Sequence, residues 1–163
     1  MSIVDIMIDQ IGDARRVLED GKPVVPVWVI KTPEGSYRIY TEFNAGKPEQ
    51  RERALLLVSR FMMWRLATSF VLTAEIRLGP QEPAEEAILA VGVSRHERVG
   101  LVQRIRRRDP LSLTSPEWLT AEQIDETYSR LLPSRTGEIT ADEVAELTFT
   151  FGEKGDMAAE KLS

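Results

Sequence analysis

The sequence predicts an α+β domain: a mostly antiparallel five-stranded sheet with two main helices packed on one of its faces. Three observations carry that expectation. Ile3, Met7, Ile11, Ala14 and Leu18 recur at spacings of three and four, which is one stripe of a helix. Residues Ser69 to Leu78 alternate, with Phe70, Leu72, Ala74, Ile76 and Leu78 on one side and Ser69, Val71, Thr73, Glu75 and Arg77 on the other. Strands follow one another through short turns, as in hairpins, and give the order α-β-β-α-β-β-β-α-α.

The first helix is expected over residues 3–20. Ser2 and Asp5 form an acidic variant of the capping box at its start, and Gly21 and Pro23 stop it. Val24 to Thr32 is rich in β-branched residues, and Pro26 makes it an edge strand or a strand start. Pro33-Glu34-Gly35-Ser36 is turn chemistry. From Tyr37 to Phe43 the chain alternates, with Arg38, Tyr40 and Glu42 on one face, completing a hairpin. Pro48 suits the first turn of a second helix, expected from Glu49 to about Ala67, with Leu55, Val58, Met62 and Leu66 as its stripe.

After strand 69–78, Gly79 to Pro83 breaks the chain, and Ala87–Ser94 and Val99–Arg107 read as a second hairpin. Residues 108–119 read as an irregular connection. Thr120 with Gln123 and Thr140 with Glu143 are capping boxes, for helices reaching about Leu132 and Leu147. Residues 1–147 form one domain on this reading, with 120–147 its helical segment. Residues 148–163 are expected as a terminal strand and a frayed tail.

The 163 residues suffice for one self-supporting core. There is no cysteine, which excludes disulfides, thiolate metal sites and cysteine nucleophiles, and His96 is the lone histidine. No cofactor and no metal site is expected. The first residues hold no basic stretch, so no secretory leader is expected, and the longest apolar runs, Val24–Ile30 and Ala54–Val58, fall far short of the ~20 residues that span a bilayer. A cytoplasmic location without membrane contact is the expectation. The net charge of −5 is uneven: residues 1–108 carry +3 and residues 109–163 carry −8. An acidic carboxy-terminal third argues against general nucleic-acid affinity, which rests on a positive field.

Few motifs point to chemistry. Gly92-Val93-Ser94-Arg95-His96 approaches a nucleophile elbow, but His96 replaces its last glycine and a hairpin turn, not a helix, follows. Gly137, Ile139 and Glu143 match late positions of an EF-hand loop, yet Leu132, Ser134 and Thr136 replace its first carboxylates. Arg104, Arg106, Arg107 and Arg108 form the densest basic cluster, suited to phosphate oxygens or to pairing with the chain's own acid. Alternation puts Arg104 and Arg106 on one sheet face and Arg107 on the other. Candidate binding residues are therefore Arg38, Tyr40, Glu42, Glu75, Arg77, Arg104 and Arg106, a charged patch if their faces coincide. Glu42 and Glu75 are the one candidate acid/base pair. Trp28 and Trp64 read as core anchors. Trp118 reads as a staple on the following helix or, alternatively, as an exposed binding aromatic.

Val71-Leu72-Thr73-Ala74-Glu75, followed by Glu82-Pro83-Ala84-Glu85-Glu86-Ala87-Ile88-Leu89-Ala90-Val91, resembles a group of small bacterial α+β proteins of unknown function. In those, a helix leads to a strand ending in Glu-Ala-Trp, then an acidic turn and a hairpin. Ala74-Glu75-Ile76 departs from the pattern and lacks the tryptophan. The resemblance implies the strand order and no activity.

These readings point to a non-catalytic protein-interaction or accessory protein of a bacterial or phage-like system. Its partner is a protein or a second copy, engaged by residues 109–163 while the body folds without them. The alternative is a nucleic-acid or phosphate-binding module using Arg104–Arg108, and a hydrolase with a carboxylate pair comes third.

Overall fold

The structure is a computed structural model and describes residues 2–41, 47–80, 85–108, 110–125, 128, 131–132 and 139–162. Helix α1 (Ile3–Glu19) begins at Ser2, whose hydroxyl accepts from Asp5 N while Asp5 accepts from Ser2 N. It buries Met7, Ile11, Ala14 and Leu18, the expected stripe. Strands β1 (Val27–Thr32) and β2 (Gly35–Tyr40) form the first hairpin. Helix α2 (Pro48–Arg65) carries Pro48 in its first turn. It ends on Leu66, which adopts the left-handed conformation at φ 57° and is exposed rather than part of the buried stripe. Strands β3 (Ser69–Leu78), β4 (Glu85–Ser94) and β5 (Arg98–Arg106) form an antiparallel meander.

The remaining strands are short. They are β6 (Ser112–Leu113), β7 (Glu117–Leu119) and β8 (Glu160–Lys161). The sheet therefore has eight strands, not five, in the order β6-β5-β4-β3-β1-β2-β8, with β7 also on β5. All pairings are antiparallel. The stretch expected to be irregular lines the open edge of β5, where Gln103 Nε2 donates to Thr114 O at 2.8 Å and Arg104 N to Thr114 Oγ1 at 3.0 Å. Strands of two or three residues are too short to show alternation, which is why pattern alone passes over them.

The two main helices lie on opposite faces, not on one. Helix α1 packs on Val71, Ile88, Ala90, Leu101 and Ile105. Helix α2 packs Val58, Phe61 and Met62 on Trp28, Ile30, Phe70, Val91 and Val93. Neighbours along β3, Phe70 and Val71, point to opposite sides and both are buried. A sheet covered on both faces needs near-continuous apolar strands, and Val27–Ile30 and Ala87–Val93 are such runs.

The carboxy-terminal third also departs from the expected order. The helix expected after Thr120 begins as a 3₁₀ turn, Ala121–Gln123, with its capping box formed. Ile124 then turns extended and buries its side chain. Helix α3 (Ala141–Thr150) starts at Thr140, whose hydroxyl accepts from Glu143 N. Leu147, Phe151 and Met157 enter the α2-side core, and β8 closes the chain on β2. Phe61 is the hub of that core, with ring centroids 5.5 Å from Tyr37, 6.1 Å from Trp64 and 4.7 Å from Phe151.

Candidate functional site

Register decides which charged residues meet. Tyr40 lies opposite Val27, and Val27 opposite Thr73, so Arg38, Tyr40, Thr73, Glu75 and Arg77 do share one face, the α1 face. Arg104 lies opposite Ala87, and Ala87 opposite Ile76, so Arg104 and Arg106 belong to the α2 face. The expected single charged patch is therefore split by the sheet. Glu42 lies outside the described residues, and so do the central residues of the EF-hand-like segment, 133–138.

On the α1 face Thr73 is fully buried, and Arg38 donates to Glu160 of β8 at 2.7 Å. That hydrogen bond raises the Arg38 pKa above its ordinary value. Tyr40 is half exposed, its ring 5.8 Å from the Arg38 guanidinium. Among the described residues Glu75 meets Glu86. Arg107 Nη2 donates to Glu75 Oε1 at 2.6 Å and to Glu86 Oε2 at 2.9 Å. Burial, then the hydrogen bond and charge of Glu86, push the Glu75 carboxyl up, against Arg107 and the Val24 N–H. Glu86 is pulled down by its hydrogen bonds with Glu75 and Arg107. A split carboxylate pair is the signature of acid/base chemistry. Here one guanidinium occupies both partners, which makes the cluster a clasp joining β3, β4 and the end of β5.

On the α2 face Arg104 donates to Glu85 at 2.8 Å and lies 3.7 Å from Glu117. Arg106 reaches Glu85 at 4.0 Å. The hydrogen bond from Arg104 to Glu85 raises the arginine's pKa. The arginine cluster thus meets acid from its own chain, from β3, β4 and β7. At the hairpin tip, Ser94 Oγ accepts from His96 N and Glu97 N, each at 3.3 Å, so the serine caps a turn. Among the described residues there is no cluster of three metal-ligating side chains and no helix long and apolar enough to cross a membrane.

Two cavities have mainly apolar linings. A groove of about 310 Å³ runs between α1 and the β6–β7 edge. Its rim carries Ile8, 53% exposed, and Trp118, 51% exposed, with Leu113 and Pro116 beside them. Trp118 lies opposite Leu101 on the α1 face, so it is an exposed aromatic and not a staple. Sequence reasoning passed over Ile8, yet its letter carries a signal: an isoleucine one position off the buried stripe has no core to enter. The second cavity, of about 450 Å³, lies on the α2 face between β3, β4 and the first half of α2. Comparison with family models, with curated proteins and with solved structures finds no match to this chain.

Proposed function

We propose that this chain is a protein-interaction module whose docking surface is the groove between α1 and β7. The observation that carries the reading is Trp118, half exposed beside Ile8 on a concave apolar surface. Exposed apolar side chains scattered singly need no explanation, but an aromatic and an aliphatic framing one groove mark a contact surface. Tryptophan is the residue most often found as the anchor of such surfaces. The occupant is an aliphatic or aromatic side chain from a partner protein. Protein is favoured over nucleic acid because Arg104, Arg106 and Arg107 all pair with glutamates of this chain. Neutralised arginines release few counterions on phosphate binding.

The docking surface is not the acidic third as a detachable segment. Ile124, Leu147, Phe151 and Met157 belong to the core, so removal of residues 109–163 would open the fold. The test is affinity purification of the tagged chain from its own host, with protein and nucleic acid both quantified. A stoichiometric protein is expected with wild type and with Phe149→Ala, an exposed apolar change on α3. It is expected to disappear with Trp118→Ala and Ile8→Asp while circular dichroism stays unchanged. Full retention by both groove variants, nucleic acid without protein, or recovery of the chain alone would each overturn the reading.

A further inference from the structure

Strand β3 outruns its neighbour. Its register with β1 ends at Thr73, while β3 itself continues to Leu78 paired to β4. On the α2 face this leaves Leu72, Ala74 and Ile76, with Leu89 across on β4, only partly buried. Helix α2 covers the other half of that face through Val58, Phe61 and Met62. The cavity of about 450 Å³ occupies the difference, with Trp28 and Tyr128 among its walls. That volume falls within the range of small-molecule pockets, about 300–1,000 Å³. Ala74 keeps the floor low; a larger side chain there would fill it.

The polar groups at this cavity are few and unbalanced. The Trp28 indole N–H is spent on Thr41 Oγ1 at 3.1 Å, so the tryptophan contributes apolar surface. The charged residues lining the cavity are Arg51 of α2 and, at the unpaired edge of β3, Glu75 and Arg77, whose parity belongs to the α1 face. The Glu75 carboxylate is held by Arg107, which offsets its charge. Helix α2 carries four arginines, and three have acidic partners: Arg53 with Glu146, Arg60 with Glu143 and Arg65 with Glu34. Arg51 has no hydrogen-bond or ion-pair partner among the described residues, and it is the one of the four that lines the cavity. An apolar floor with a guanidinium at its edge that no described residue pairs is complementary to a small amphipathic anion.

We infer that this cavity binds a carboxylic acid with a compact apolar body, its body on the Leu72–Ala74–Leu89 floor and its carboxylate toward Arg51. The site is separate from the α1–β7 groove and lies on the other side of the sheet. The indole N–H resonance of Trp28, followed in ¹⁵N-labelled full-length chain, reports on it directly, and Trp118 serves as an internal control. Octanoate is the probe, and 1-octanol is its neutral counterpart. Octanoate is expected to shift the Trp28 resonance saturably and to leave Trp118 in place. Arg51→Gln is expected to weaken octanoate about tenfold, the worth of one charge-assisted hydrogen bond, and to leave octanol unchanged. Ala74→Phe is expected to abolish the saturable response. Arg51 is exposed, so its variant tests the idea even where Ala74→Phe fails to fold. A silent Trp28, equal shifts at Trp28 and Trp118, or octanoate binding indifferent to Arg51→Gln would each overturn the assignment.

Discussion

The two faces of the sheet are built on different plans. The α1 face is closed by one amphipathic helix at the start of the chain, and its core is aliphatic: Met7, Ile11, Ala14 and Leu18 on Val71, Ile88, Ala90 and Leu101. The α2 face is aromatic and assembled from distant parts of the chain, with Phe61 touching Tyr37, Trp64 and Phe151. One regular helix packs tightly enough that Gly92 has no room for a side chain; a Cβ there would overlap Ile3 Cγ2. Several irregular pieces tile less completely, and the larger cavity lies on that side. A face closed by a single periodic element is dense, and a face closed by many short ones keeps room for a ligand.

Two substitutions test that contrast at full strength. Phe61→Ala removes the hub of the α2 face and is expected to cost about 3–5 kcal/mol, read as a lower urea midpoint at unchanged slope. Far-ultraviolet circular dichroism and tryptophan fluorescence should lose signal together, because both faces share β3 and β4. Separate transitions would show that the faces unfold independently. Gly92→Val forces α1 away from the sheet and is expected to cost about 1–3 kcal/mol. Hydrogen exchange should accelerate in α1 while α2 keeps its protection. Equal acceleration in both helices would remove the distinction between the faces.

The plan of the α1 face was largely legible in the sequence. Its stripe has helical period, its start is a capping box, and Ser69–Leu78 alternates over the observed length of β3. The capping box at Thr120 also formed, and at Thr140 the hydroxyl caps Glu143 N, but a cap marks a start and not a length: one opened a 3₁₀ turn, the other a helix of 10 residues. The α2 face was less legible because it depends on contacts between residues far apart in the chain, such as Phe61 with Phe151. The candidate patch failed on parity. Glu75 aligns with Ile88 and then with Gln103, so its face carries Gln103 and not Arg104. A shift of one residue in register reverses every face assignment, and nothing local in the sequence fixes that number. The groove and the cavity follow from the same long-range geometry, in which the pairing of β3 with β1 stops at Thr73 opposite Val27 and β7 turns Trp118 outward.

A smaller effect separates the faces by their buried hydroxyls. Thr41 accepts from the Trp28 indole and Thr32 donates to Gly35 O. On the α1 face Thr73 is fully buried, and its hydroxyl has no partner among the described residues. Thr73→Val keeps the shape and removes an unsatisfied polar atom, so a gain of about 1 kcal/mol is expected in urea denaturation. A loss of stability would mean that the hydroxyl is satisfied in solution.

The smallest effect belongs to the clasp at the open end of the α1 face, and its sign is opposite for the two carboxylates. Burial and Glu86 raise Glu75 above its ordinary 4.5, so the folded chain holds this proton more tightly than the unfolded chain. Its contribution is complete below 4.5 and is lost as pH rises through the raised folded value. Glu86 is lowered from the same 4.5, so its contribution is complete above that value and is lost as pH falls through the lowered one. Glu75→Gln keeps an acceptor for Arg107 Nη2 and removes the titration. Relative to wild type, the variant should gain stability between pH 4.5 and neutrality and show no such trend below. Glu86→Gln should lose ground as pH rises from the acid side toward 4.5 and then hold level. Denaturation midpoints collected across that range for both variants decide the matter. Parallel pH profiles for wild type, Glu75→Gln and Glu86→Gln would mean that neither carboxylate changes its proton affinity on folding, and the α1 face would then end in ordinary surface ion pairs worth little on their own.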